Sequence, residues 1–177
     1  MALSLAPFVS TTFDIVGHMF ELAHAGREDT VVDLGCGDGR ILITAVTSFE
    51  VQKAIGYELR RDLYERAVGE IHRRGLEGRA IAVNEDLMKA DLREATVITL
   101  YLTTAGNETL RPKLEREGKR GTRVVSHDFK FAGWTPTSKE SFNGHMLYLF
   151  TLPKAHSYDG DTAETKTSHA GVTQPTD

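Results

Sequence analysis

Asp33-Leu34-Gly35-Cys36-Gly37-Asp38-Gly39-Arg40 is the stretch on which the fold reading turns. The β-branched run Thr30-Val31-Val32 leads into it, and helical sequence from Gly39 to Phe49 follows. A strand, a glycine-rich turn and a helix, in that order, open a βαβ unit. Glycines there let the backbone turn tightly and approach a ligand without Cβ collisions. Glu58 closes the next strand, 19 residues after Gly39. That is close to the offset of a carboxylate that receives ribose hydroxyls. A tight turn with no ligand would not need that paired acid.

The spacing is not that of a dinucleotide loop. Such a loop reads G-x-G-x-x-G and keeps the following helix N-terminus free for a pyrophosphate. Here the pattern is DxGxGxG, with Asp33 at the strand end and Asp38 inside the turn, where its charge would also repel a pyrophosphate. Two carboxylates suit a ligand that carries positive charge and no phosphate. Asp86 follows the third predicted strand and stands where an adenine amine would be met. The alternatives for it are a solvated loop carboxylate, or displacement by its neighbour Glu85. Cys36 reads as a small residue tolerated in the turn, since no group that would activate a thiol can be assigned.

Outward from the loop, strand and helix signals alternate. Helical spacing covers residues 13–25 with Gly26 as its stop, then 60–74 ended by Gly75, and 107–117. Strands are predicted at Lys53–Glu58, Arg79–Asn84, Ala95–Leu102, Thr122–Phe129 and His145–Leu152, with a short partner near Lys139–Phe142. Ala95–Leu102 is apolar almost throughout, as a strand covered on both faces should be. Strands separated by helices pair in parallel through right-handed crossovers. Two consecutive strands at the end add an antiparallel edge. The expected fold is a Rossmann-like α/β domain with a mostly parallel seven-stranded sheet.

The 177 residues suffice for one domain, placed at 1–153. Residues 154–177 are polar, with almost no large apolar side chain, and are expected to be a disordered tail. One cysteine excludes an intrachain disulfide and a multi-cysteine zinc site, and no metal site is assigned. A net charge of −4 gives no global basic field for nucleic acid, and no sequence-specific nucleic-acid binding is expected. No apolar run approaches a membrane span, and Met1–Val9 lacks the basic start of a signal peptide. A cytoplasmic protein, monomeric by default, is expected. The basic run Arg111, Lys113, Arg116, Lys119 and Arg120 reads as a solvated helix face.

With the loop, LRPKL at 110–114, GTRVVSH at 121–127 and Gly133-Trp134 in place, the chain resembles class I S-adenosylmethionine-dependent methyltransferases. It resembles more closely the small archaeal protein-lysine methyltransferases. These are similar in their core to the eukaryotic non-SET histone lysine methyltransferase and to short mitochondrial lysine methyltransferases. The resemblance spans residues 7–152, with Thr12 standing where the family often has proline. It implies S-adenosylmethionine as cofactor and methyl transfer to lysines of proteins, chromatin proteins among them, with broad specificity. It also implies that Phe8, Val9 and Thr11 close over the cofactor, beside Asp33, Gly35, Gly37, Gly39, Glu58, Asp86 and Leu87.

For the substrate side, Tyr101 ends the fourth strand and is expected to wall a lysine channel. Thr103 and Asn107 are candidates to hold the amine or a water, although Asn107 also fits a helix N-cap. Trp134 either walls the channel or anchors the last strands. His127 is a candidate base or a structural histidine. No aromatic-proline amide-methylating tetrapeptide follows the fourth strand, where Tyr101-Leu102-Thr103-Thr104 stands instead. The competing classes are a small-molecule or RNA methyltransferase and a non-catalytic S-adenosylmethionine-binding module.

Overall fold

The computed structural model describes residues 9–152. Phe8 and the expected polar tail lie outside the described residues. The elements are α1 (Phe13–Leu22), β1 (Thr30–Leu34), α2 (Arg40–Ser48), β2 (Lys53–Tyr57), α3 (Arg61–Arg73) and β3 (Ala80–Val83). A 3-10 turn, Leu87–Lys89, precedes β4 (Val97–Leu100) and α4 (Thr104–Glu117). The chain continues through β5 (Arg123–His127), β6 (Ser138–Phe142) and β7 (His145–Thr151). The seven strands form one sheet in the order β3-β2-β1-β4-β5-β7-β6. The first five are parallel, and β7 runs antiparallel to both β5 and β6. The expected Rossmann-like architecture is the one observed.

Alternate strand residues feed two cores, because successive side chains leave opposite faces of a sheet. Val31, Val97, Val125 and Leu147 pack with Ile15, Val16, Phe20, Leu42 and Ile43 from α1 and α2. Val32, Ile98, Val124 and Phe150 pack with Leu110 and Leu114 of α4. This double coverage explains the unbroken apolar run of β4, whose four residues are all buried. Among the described residues, no helix is long and apolar enough to cross a membrane.

Boundaries differ from the sequence reading in instructive places. α1 stops at Leu22 because His24 turns left-handed at φ 48°, three residues after Glu21, whose carbonyl accepts its amide. Gly26 is therefore not the stop. α4 begins at Thr104 rather than 107, since the Thr103 hydroxyl caps it by accepting the Gly106 amide at 3.0 Å. β4 is shorter than the apolar run Ala95–Leu102, whose ends enter and leave the sheet.

Two glycines fix how the loop sits on the sheet. Gly39 lies at φ +81°, and a Cβ there would stand 2.9 Å from the Ala67 methyl on α3. Gly56 on β2 faces the turn, and its Cβ would fall 2.4 Å from Cys36 Cβ and 2.8 Å from Leu42 Cδ1. Gly56→Ala is therefore expected to destabilise the fold by about 1–3 kcal/mol, the usual cost of overpacking a core. Denaturant unfolding of the variant measures it. An unchanged midpoint would show that turn and strand are not closely packed.

Candidate active site at the carboxyl edge of the sheet

The chain order reverses direction between β1 and β4, which leaves a crevice beyond the carboxyl ends of the strands. Along that edge the sheet order lines up the segments following β3, β2, β1, β4 and β5. Asp86, Glu58, the glycine turn, Tyr101 and His127 therefore stand in one row, although they span more than 90 residues of sequence.

The turn is held from β2. The amides of Gly35 and Cys36 both donate to the Tyr57 carbonyl, at 2.9 and 3.0 Å. Glu58 is 8% exposed; its Oε2 accepts the Gly37 amide at 2.9 Å and its Oε1 the Arg60 amide at 2.8 Å. Each oxygen retains a second acceptor direction, which a ribose hydroxyl can use. Asp86 caps the 3-10 turn through the Met88 amide at 2.9 Å. Glu85, its rival for the adenine position, accepts from Lys89 Nζ at 3.1 Å. Leu87 opens the turn and is half-buried.

Asp38 does not stand as an isolated charge. Arg40 grips it with two guanidinium nitrogens, at 2.9 and 2.6 Å. The repulsion expected toward a pyrophosphate is accordingly offset, and the glycine spacing alone carries that exclusion. Arg40 also donates to the Thr11 carbonyl at 2.9 Å. The N-terminal segment is thus tied to the loop, with Thr11 buried and Val9 57% exposed beside it.

Asp33 supplies the clearest fit to a cationic cofactor. Its Oδ1 accepts the Thr99 hydroxyl at 2.8 Å, and its Oδ2 is buried with no partner among the described residues. An unsatisfied buried oxygen is costly unless a ligand completes it. Burial pushes the Asp33 carboxyl up to about 7; the Thr99 bond opposes this, and the charges of Glu58 and Asp38 add to it. The raised value means that Asp33 lowers the stability of the free protein as pH climbs from about 4 toward 7. In that window the unfolded carboxylate is ionised while the folded one keeps its proton. A bound cation reverses the preference. Affinity for a cationic ligand is therefore expected to rise from about pH 6 to 8, with proton release at the lower end. Calorimetry in buffers of different ionisation enthalpy reads that release, with Asp33→Asn as the reference that subtracts the ligand's own titration. Equal release from both proteins would remove Asp33 from the effect.

Beyond β4 and β5 lies a polar cluster. The Tyr101 hydroxyl donates to Asp128 Oδ2 at 3.0 Å, and the Tyr101 ring packs on His127, tilted by 33° with centroids 3.8 Å apart. His145 Nδ1 meets the same Asp128 oxygen at 2.9 Å and His127 Nε2 at 3.0 Å. His127 Nδ1 faces the Thr11 hydroxyl at 3.2 Å. Burial pushes His127 down to about 4, which leaves the ring neutral near pH 7. Burial also raises Tyr101, helped by its bond to Asp128. For Asp128 burial acts upward, but bonds from His145 and the Met146 amide outweigh it and hold the carboxyl below its usual range. Asp128 itself sits at φ 60°, fixed by the Met146 amide on its Oδ1 and by its own amide on the Met146 carbonyl.

Asp128 and His145 are absent from the sequence-derived site. Asp128 follows a histidine at a strand end, a weak signal. His145 is carried there only by the antiparallel return of β7, which no local pattern announces. Two expected residues are engaged with other protein groups. Asn107 is not a helix cap: it lies fully buried inside α4, where its Nδ2 donates to Ser126 Oγ and to the Phe129 carbonyl at 2.8 Å. Trp134 donates to Glu115 near the far end of α4 and packs against Phe131 and Phe150. Cys36 is buried, and burial drives its thiol well above the usual range, in keeping with a packing role.

Comparison with known proteins agrees with this geometry. The family model of the ANTKMT methyltransferase domain matches residues 33–138. A protein-lysine N-methyltransferase of Saccharolobus islandicus is 43% identical over 150 residues, covering 82% of this chain and 93% of that protein. The mouse adenine nucleotide translocase lysine N-methyltransferase is 33% identical over 132 residues, 75% of this chain but 57% of the longer relative. A crystal structure described as an RNA methyltransferase from Salinibacter ruber, bound to S-adenosyl-L-homocysteine, superposes with a TM-score of 0.80. It is 37% identical and covers 85% of this chain and 98% of that one.

Proposed function

The chain belongs to the ANTKMT methyltransferase-domain family, and from that premise we propose that it methylates lysine side chains of proteins. Its cofactor is S-adenosylmethionine, which supplies a methyl group on a sulfonium. Glu58 receives the ribose hydroxyls, Asp86 and Leu87 border the adenine, and Asp33 with Gly35, Gly37 and Gly39 faces the amino-acid end. Val9 and Thr11 border the cofactor from the N-terminal side, and Phe8 extends that segment.

One observation carries the lysine reading. The Tyr101 ring and the Asp128 carboxylate stand together where the edge of β4 meets β5, giving an aromatic wall beside a negative charge. An ammonium is drawn to both. The reactive form is the neutral amine, so the ring must also help strip water from it, and proton loss proceeds against the pull of the Asp128 carboxylate. Thr103 caps the helix beside this mouth, Asn107 braces it through hydrogen bonds to Ser126 and the Phe129 carbonyl, and Trp134 packs behind it. Because the mouth is built from short segments, selection of a single side chain rather than a long sequence motif is the favoured reading, with broad action on exposed lysines and chromatin proteins among the candidates.

The description of the Salinibacter ruber relative favours a second reading, RNA methylation. Incubating the protein with methyl-labelled cofactor and an extract of its own cells separates the two. Labelled lysines in protein bands are expected. Label confined to RNA would overturn the proposal.

A further inference from the structure

We propose that His127, Asp128 and His145 form a binding site for a first-row divalent transition-metal ion, of which zinc is the prototype. The three donor atoms are His127 Nε2, His145 Nδ1 and Asp128 Oδ2. They stand 2.9 Å (His145 to Asp128), 3.0 Å (His127 to His145) and 3.5 Å (His127 to Asp128) from one another. A triangle of those sides has a circumradius of roughly 1.8 Å, inside the about 2.0–2.2 Å of zinc–nitrogen and zinc–oxygen bonds. One ion about 1 Å out of that plane lies within bonding distance of all three donor atoms. Two imidazoles and a carboxylate are also the donor set that borderline ions prefer, rather than the all-oxygen set of magnesium or calcium.

The surroundings fix the donors. The Thr11 hydroxyl faces His127 Nδ1 and can accept a hydrogen from it; in that tautomer Nε2 presents its lone pair to the ion, as in metal-bound histidines held by outer partners. The Met146 amide occupies Asp128 Oδ1 and aims Oδ2 at the site. Without an ion, a single hydrogen on His145 Nδ1 lies between two acceptors. When the ion binds, that hydrogen leaves Nδ1 and a neutral His145 carries its hydrogen on Nε2 instead. The His145 side chain is 39% exposed and the Asp128 side chain 25%, which gives the ion a way in and leaves a coordination position open. The Tyr101 hydroxyl shares the Asp128 oxygen, so the ion would sit at the substrate mouth and compete for the group that Tyr101 bonds.

The test uses the full chain, stripped with chelator and free of any affinity tag, titrated with zinc chloride and with cobalt chloride. One high-affinity equivalent per chain is expected, with visible cobalt bands of a four- or five-coordinate site. His145→Ala is expected to weaken zinc at least about tenfold, as is Asp128→Asn. His18→Ala removes another histidine paired with carboxylates, Glu21 and Glu140, and should leave the equivalent intact. If Asp128→Asn fails to fold, the more exposed His145→Ala decides. No zinc binding, or equal binding by wild type and His145→Ala, overturns the proposal. Neither outcome bears on whether lysine is methylated, because binding is read without turnover.

Discussion

Glu58→Ala is expected to weaken S-adenosylmethionine binding by about 1.5–3 kcal/mol, roughly 10- to 150-fold, the range of hydrogen bonds to a charged group. The carboxylate does two things at once. It pins the glycine turn through the Gly37 amide, and it offers further acceptor directions to a ribose. Glu58→Gln separates the roles. The amide keeps the length and one acceptor oxygen, but it exchanges the other for a donor that faces backbone N–H groups or ribose hydroxyls. Calorimetry of both variants, with thermal melts beside it, reads the difference. Loss of affinity with an unchanged melt assigns the effect to the ligand. Unchanged affinity in Glu58→Ala would take Glu58 out of the cofactor site.

The parts of the fold that local physics dictates were legible in advance. The β-branched run before the glycine turn, the acid at the end of β2 and the apolar length of β4 each follow from one segment and its burial. The seven-stranded sheet with an antiparallel edge needed only the order of those segments and the handedness rule. The residues proposed for the cofactor side are located by the same kind of signal, since Asp33, Glu58 and Asp86 each stand at or just after a strand end. The substrate side was not. Asp128 and His145 are neighbours only because β7 returns antiparallel beside β5, a contact that spans 17 residues and leaves no periodic trace. Trp134 was ambiguous since an aromatic after a glycine reads alike whether it lines a channel or a core. Its bond to Glu115 on α4 resolves that in favour of packing. For Asn107 the sequence leaves two readings, a hydrogen-bonding site residue or a helix cap, and the cap proves to be Thr103, one turn earlier with similar chemistry.

Asp38 shows a different limit. As a bare residue in the turn it looked like a repulsive charge; in the fold it belongs to Arg40, and through Arg40 to the N-terminal segment at Thr11. Thr11 in turn faces His127. The same residue thus meets Arg40 beside the glycine turn through its carbonyl and the Tyr101–His127 cluster through its hydroxyl. A sequence motif records each end but not the bridge between them.

Tyr101→Ala is expected to lower turnover on protein lysines by on the order of 10²-fold while leaving the dissociation constant of S-adenosylmethionine within about twofold. The asymmetry follows from position. Tyr101 directly follows β4 and contacts His127 and Asp128, across the glycine turn from Glu58 and Asp86, the carboxylates proposed for ribose and adenine. A residue on that side acts on the amine, so its loss falls on kcat rather than on cofactor binding. Tyr101→Phe keeps the ring and drops the hydroxyl that bonds Asp128. Its expected loss is smaller, up to about tenfold, the worth of one hydrogen bond to a charged group at its lower end. Activity of the wild type should climb with pH toward the lysine value of about 10.4, as more of the substrate amine becomes neutral. Peptide mapping of the labelled product completes the test. Tyr101→Ala matching wild type in kcat would move the mouth elsewhere on the edge, whereas label on carboxylates or arginine would keep the methyl transfer and discard lysine as its acceptor.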